Sequence, residues 1–212
     1  MHTSPLQKFQ TTPSQQAGFS LIEVLVSLAI FAVVVTMSVG TMIVMIDANS
    51  KAQFSQSISS NMAFALDSMT RDIRTGTDYR CSNSSTDGAL QLNDRSNYVP
   101  NDCMGGRSAF AFTESGGSLT TGLASNRIGF RHRTVDGVGR IERKLSTDGG
   151  PWQAITSENV NITELTFTVR NTNTSDSLSP QVTIYIKGEG VGDIQDTEFV
   201  LQTTITQRAL DI

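Results

Sequence analysis

The feature that most limits what this chain can fold into is the run Phe19–Ile46, FSLIEVLVSLAIFAVVVTMSVGTMIVMI, in which Glu23 is the only ionisable side chain. As an α-helix this run is about 42 Å long, enough to cross a hydrocarbon core of about 30 Å with a tilt. Its Ser, Thr and Gly residues are tolerated in lipid because neighbouring groups can satisfy them. The alternative, a helix buried in a soluble core, leaves such length and uniform apolarity unexplained. The preceding stretch, Met1–Gly18, is polar and holds one Lys or Arg, Lys8. An ordinary secretory signal has a short apolar stretch followed by small residues at the cut. Here the apolar run is too long, and the small residue, Gly18, precedes it.

Glu23 falls in the first turns of this helix, where the helix dipole and the nearby interface both favour a carboxylate. Deeper in the bilayer an uncompensated carboxylate would cost about 2.5–3.5 kcal/mol. Either it snorkels to the interface, or it awaits a cationic partner.

These residues in this order, Gly18-Phe19-Ser20-Leu21-Ile22-Glu23-Val24, resemble the signal of type IV pilins and type II secretion pseudopilins. The resemblance implies cleavage after Gly18 by prepilin peptidase, N-methylation of the new terminal Phe19, and pairing of Glu23 with a neighbouring subunit's terminal amine during assembly. An amine and a carboxylate lose less on desolvation as a hydrogen-bonded pair than separately. A single such pair also fixes register between uniformly apolar helices.

Beyond the span, Phe54, Ile58, Met62, Leu66 (with Ala65), Met69 and Ile73 recur every three or four residues. This is a helical stripe that must be buried on something. Arg71, Arg74 and Gly76 suit a helix end. One helix is therefore expected from about Phe19 to about Arg74, some 84 Å long. Gly40 lowers helix stability there by about 1 kcal/mol against Ala and can mark either local loosening or close helix packing.

The rest reads as β-structure. Arg127–Arg133, Arg140–Leu145, Ile162–Arg170, Val182–Ile186 and Phe199–Ile205 are five candidate strands, with turns at Asp136-Gly137 and Asp148-Gly149-Gly150. They predict an antiparallel sheet with one apolar face, covered by the helix, in an α+β domain. From Tyr79 to Ala124 the pattern is weak; Phe110-Ala111-Phe112 is a candidate short strand. The expected divisions are a leader over 1–18, a transmembrane helix over 19–46, its amphipathic continuation over 47–76, and a β-rich globular domain over 77–212.

The second half is similar to a narrower group, the J-type minor pseudopilins of type II secretion and the PilW-type minor pilins. The similarity rests on Leu66-Asp67 through Arg74, Arg140-Ile141-Glu142-Arg143, Asp148-Gly149-Gly150-Pro151-Trp152, Val160 through Phe167, Pro180-Gln181-Val182 and the ending Thr203–Leu210. It implies a minor subunit that initiates or caps a pilus or pseudopilus, with a DNA- or surface-binding tip minor pilin or a major fibre subunit as the alternatives. Its partners would be prepilin peptidase, other minor and major pilins, an inner-membrane assembly platform and membrane lipid. It also implies a cytoplasmic N-terminus and a periplasmic domain. In such an oxidising compartment Cys81 and Cys103 suggest one disulfide, with free thiols as the alternative. No third or fourth soft ligand lies near them, which disfavours a metal.

Catalytic chemistry and cofactors find no support. The only histidines are His2 and His132, no nucleophile motif surrounds them, and no phosphate-binding or metal signature is present. The Gly188-Glu189-Gly190-Val191-Gly192 run reads as a loop. A net charge of −4 with a pI near 5.1 gives no electrostatic case for nucleic acid as the main partner. Arg127, Arg131, Arg133, Arg140, Arg143 and Lys144 gather on one expected hairpin. They read as a solvated or Glu-paired sheet face, or as a phosphate-binding patch on a filament tip.

Overall fold

A computed structural model describes residues 18–92, 99–115, 127–146, 151–172, 178–191 and 198–208. Residues 1–17 of the expected leader 1–18, with His2, the Asp148-Gly149-Gly150 turn, Gly192 and the final residues from Ala209 lie outside them. The chain divides into two units, Met1–Asn49 and Ser50–Ile212.

One helix, α1, spans Leu21–Thr75. In the first unit Gly40 is helical like its neighbours. Ser27, Thr36, Ser38 and Thr41 turn their hydroxyls back onto carbonyls three or four residues earlier. That removes their polarity from the helix surface. In the second unit the expected stripe is buried: Ile58, Met62, Ala65, Met69 and Ile73 are each at most 3% exposed, with Phe54 and Leu66 packed at the margin.

The helix ends where its last carbonyls find other partners. The Gly76 amide reaches Ile73 O at 3.1 Å and the Arg208 amide reaches Arg74 O at 2.9 Å. The Tyr79 hydroxyl lies 2.7 Å from Ile73 O and 2.8 Å from Gly76 O. These contacts satisfy groups that a helix end leaves open. Burial, with the charge of Asp78 second, pushes the Tyr79 phenol well above its ordinary pKa, so it remains a hydrogen-bond donor.

Among the described residues eight strands follow, not the five candidates and one short strand expected, and they form two antiparallel sheets rather than one. The first sheet has the order β1 (Thr77–Ser82), β2 (Ala109–Thr113), β3 (Arg127–Val135), β4 (Val138–Leu145), β5 (Gln153–Ala154); the second has the order β6 (Val160–Arg170), β7 (Gln181–Gly190), β8 (Glu198–Thr206). The β3–β4 turn uses Asp136 at φ 51° and Gly137 at φ 82°, the positive angles a two-residue hairpin requires.

Gly188 and Gly190, read above as loop, belong to β7. A Cβ on Gly190 would stand 2.4 Å from the Phe54 ring, and one on Gly188 would stand 2.6 Å from the Phe199 ring. These glycines let aromatic rings lie directly on the strand, and such a position looks like a breaker in the sequence.

The stripe of α1 and the inner faces of both sheets share one core. Phe110 of β2 stacks on Phe167 of β6 with centroids 5.2 Å apart, and Tyr79, Phe112 and Phe130 extend the aromatic cluster. A smaller cluster on the far face of the first sheet joins Ala109 and Ala111 to Leu90, Leu92 and Trp152.

The segment Asn101–Arg107 stitches the sheets together. On one side, the Asn101 amide donates to Tyr79 O at 3.1 Å and the Cys81 amide donates to Asn101 Oδ1 at 3.0 Å. On the other, the Cys103 amide donates to Val169 O at 3.0 Å, and Arg107 and Phe167 exchange backbone bonds of 2.9 and 2.7 Å. The disulfide Cys81–Cys103, with Cα atoms 6.4 Å apart, clamps this segment to β1. Beside it, burial opposes ionisation of Asp102. Hydrogen bonds from the Thr172 amide and hydroxyl and the Asn171 amide outweigh that burial and hold its pKa below the ordinary value.

Candidate assembly site

The first unit carries the candidate processing and assembly residues. Helix hydrogen bonding begins at Ser20, whose carbonyl accepts from the Glu23 amide at 3.0 Å and the Val24 amide at 3.3 Å. Gly18 and Phe19 therefore precede the helix as exposed, non-helical residues, with Phe19 83% exposed. A protease needs an accessible, non-helical bond, and a helix would withhold it. Glu23 is the acidic residue of the first turn.

Leu21, Ile22, Leu25, Leu28, Ile30, Phe31 and the apolar residues beyond them to Ile46 are exposed. None of the most apolar 18-residue window is buried. An apolar face this large is stable only in hydrocarbon or against other helices. The structure thus presents Gly18, Phe19 and Glu23 together at one end of a membrane-anchoring helix.

The second unit decides what its basic hairpin is for. Arg131 donates from Nε to Glu142 Oε2 at 2.7 Å, its Nη2 lies 2.7 Å from the same oxygen, and both side chains are about nine-tenths buried. Its Nη1 donates to Ser85 O, and its guanidinium lies 4.1 Å over the Trp152 ring. Lys144 bonds Asp87 at 2.6 Å, Arg143 bonds Asp72 at 3.1 Å, and Arg140 lies 3.5 Å from Glu158. Arg127 is buried and donates to Gln91 O.

These cations hold the 83–92 segment and α1 onto the sheet. Only Arg133 of the six is an exposed residue without such a described role. Burial opposes ionisation of Asp87, but hydrogen bonds from Lys144 and Trp152 and the charges of Lys144 and Arg131 outweigh it, leaving its carboxyl below the ordinary value. A phosphate-binding patch needs cations free to exchange their counterions, and four of these have built-in carboxylates. Sequence reasoning foresaw carboxylate pairing but not that Asp72 and Asp87, distant in sequence, would supply half of it.

His132 places Nε2 2.8 Å from Ile162 O, a structural contact between β3 and β6. Among the described residues, no group of three or more His, Cys, Asp or Glu side chains converges as a metal site would require.

Comparison with protein families gives two matches. Residues 13–39 match the prokaryotic N-terminal methylation motif, and residues 51–207 match prepilin peptidase-dependent protein B. The second match alone covers well over half of the chain. Neither the curated proteins nor the solved structures include a match.

Proposed function

The chain belongs to the prepilin peptidase-dependent protein B family of type IV pilin-like subunits, and on that premise we propose that it is a minor subunit that initiates or caps a pilus or pseudopilus. Members of this class are membrane-anchored structural subunits, processed by prepilin peptidase and assembled with other pilins.

The observation that supports processing and assembly is the juxtaposition at the helix start: an exposed, non-helical Gly18-Phe19 bond, then Glu23 in the first turn of α1, whose apolar residues from Leu21 to Ile46 are exposed. Prepilin peptidase cleaves after Gly18, which creates the Phe19 amine that is then methylated. Glu23 meets a neighbour's amine in the filament. The leader is 1–18, the membrane segment 19–46, and the helical continuation 47–76 leads into the globular domain 77–212. The N-terminus faces the cytoplasm and the domain the periplasm, an orientation favoured by the Cys81–Cys103 disulfide, which forms in oxidising compartments. The inner-membrane assembly platform and surrounding lipid are the remaining partners. A domain with eight strands in two sheets among its described residues is more than a simple shaft repeat requires, which favours the minor role. Carboxylate partners on the hairpin cations weigh against a DNA-binding tip.

N-terminal sequencing and intact mass of the membrane-extracted chain should find methylated Phe19 first, and Gly18→Leu should accumulate uncut precursor. A mature terminus inside the apolar run would refute the cleavage reading. Crosslinking from Phe64, 71% exposed on α1, should recover other pilin-like subunits at low copy number. Finding this chain as the most abundant protein of purified fibres would refute the minor role.

A further inference from the structure

Among the described residues the second sheet has an open side. β8 pairs with β7 through an uninterrupted register from Gln181↔Thr206 to Glu189↔Glu198, and no described strand pairs with its other edge. The Gln207 amide donates to Pro180 O at 3.0 Å in the same register. That fixes the phase of the ladder. Odd-numbered residues from Phe199 to Ile205 bond inward to β7, while Val200, Gln202, Thr204 and Thr206 point their amides and carbonyls outward. Natural edges are normally blunted by Lys, Pro or a bulge. β8 has none of these in its nine residues, and its one charge, Glu198, lies 3.8 Å from Lys187.

Beside that edge runs an apolar groove of about 200 Å³, walled by Ile58, Met62, Ala63 and Leu66 of α1 and by Phe199 and Leu201 of β8. Side chains of a strand alternate between the two faces of its sheet. A fourth strand laid on β8 would therefore point every second side chain toward the α1 face, into this groove. The open edge and the groove are separate observations that specify one occupant.

We propose that β8 receives an extended segment of another pilin-like subunit, added as a fourth strand whose alternate apolar side chains fill the groove. A docked helix would cover the groove but could not satisfy the outward amides and carbonyls, because its own are bonded internally. Pairing of β8 with β8 of a second copy would use up both edges in a closed two-fold dimer, whereas growth needs an open contact. This inference rests on the proposed role as an assembled subunit.

The test compares the full chain in detergent with the full chain recovered in assembled complexes, by amide hydrogen exchange. Recovery in the assembled fraction reports the role itself; exchange at β8 reports the strand addition. The Val200, Gln202 and Thr204 amides should slow by roughly tenfold or more on assembly. Gln202→Pro removes one outward amide and spares the β7 ladder, and Ala63→Glu places a charge in the groove. Both should lower incorporation at least roughly tenfold, with protection of Val182–Ile186 unchanged as the control for folding. Loss with Ala63→Glu but not with Gln202→Pro would identify a helix as the occupant and overturn the proposal. So would assembled chains whose β8 amides exchange freely, or a photocrosslinker at Gln202 that captures only this chain.

Discussion

Breaking the Arg131–Glu142 pair tests how the first sheet is held. Glu142→Ala leaves the guanidinium about nine-tenths buried with one remaining acceptor, Ser85 O, and the face of Trp152. Removing one partner of a buried ion pair costs about 3–5 kcal/mol, because the other charge stays desolvated and uncompensated. The lower figure is the better expectation here, since Ser85 O and the ring retain part of the stabilisation. For a domain of this size about 3 kcal/mol lowers the Tm by roughly 6–12 °C.

The assay is built in: Trp152 is the only tryptophan, and it contacts the perturbed cation, so denaturant unfolding can be followed by its fluorescence. Arg131→Met with Glu142→Leu removes both charges and should recover most of the loss. If the single substitution costs under about 1 kcal/mol, or the double substitution costs the sum of the singles, the pair is not an uncompensated-charge device and the reasoning fails.

Replacing both Cys81 and Cys103 by Ser opens a 22-residue separation and should cost roughly 3 kcal/mol in the chain-entropy model; an unchanged urea midpoint would contradict this. Asp87 has a folded pKa below its ordinary value, so its stabilisation is complete above about pH 4 and is lost as pH falls through the depressed value. The stability gap between the unaltered chain and Asp87→Asn should accordingly close on acidification, and a gap constant from pH 6 to 2 would refute the assignment. Glu23→Ala should reduce incorporation into assembled complexes with the Trp152 unfolding curve unchanged; normal incorporation would remove the amine–carboxylate role from this subunit.

The parts legible in the sequence were those with one buried face. The stripe Ile58–Ile73 repeats at helical spacing because only one side of α1 meets the core, and β6 alternates Leu165, Phe167 and Val169 inward for the same reason. β2 was nearly hidden because all five of its residues are buried, which erases alternation. β1 was hidden by Asp78 and Arg80 and by an irregularity between Thr77 and Arg80. The split into two sheets was not legible either. It depends on Asn101–Arg107 lying between β1 and β6, and that segment has no periodicity of its own. At the helix start the methylation motif, matched over residues 13–39, was legible because a long apolar run with one ionisable side chain stands out from the polar stretch before it.

Every neighbour in the strand order is also a neighbour in sequence: β1 to β5 in one sheet, β6 to β8 in the other. A chain emerging from its N-terminus can thus pair each new strand with the one before it, and loop closure stays inexpensive throughout. The strap is different: Arg107 bonds Phe167, 60 positions away, and Cys103 bonds Val169, and these bonds must wait for β6. Maturation of the domain therefore has a built-in last step on that side, the closing of the first sheet's strap onto the second. A chain halted before β6 would hold Phe110 without Phe167 to stack on, an exposed aromatic surface open to quality control.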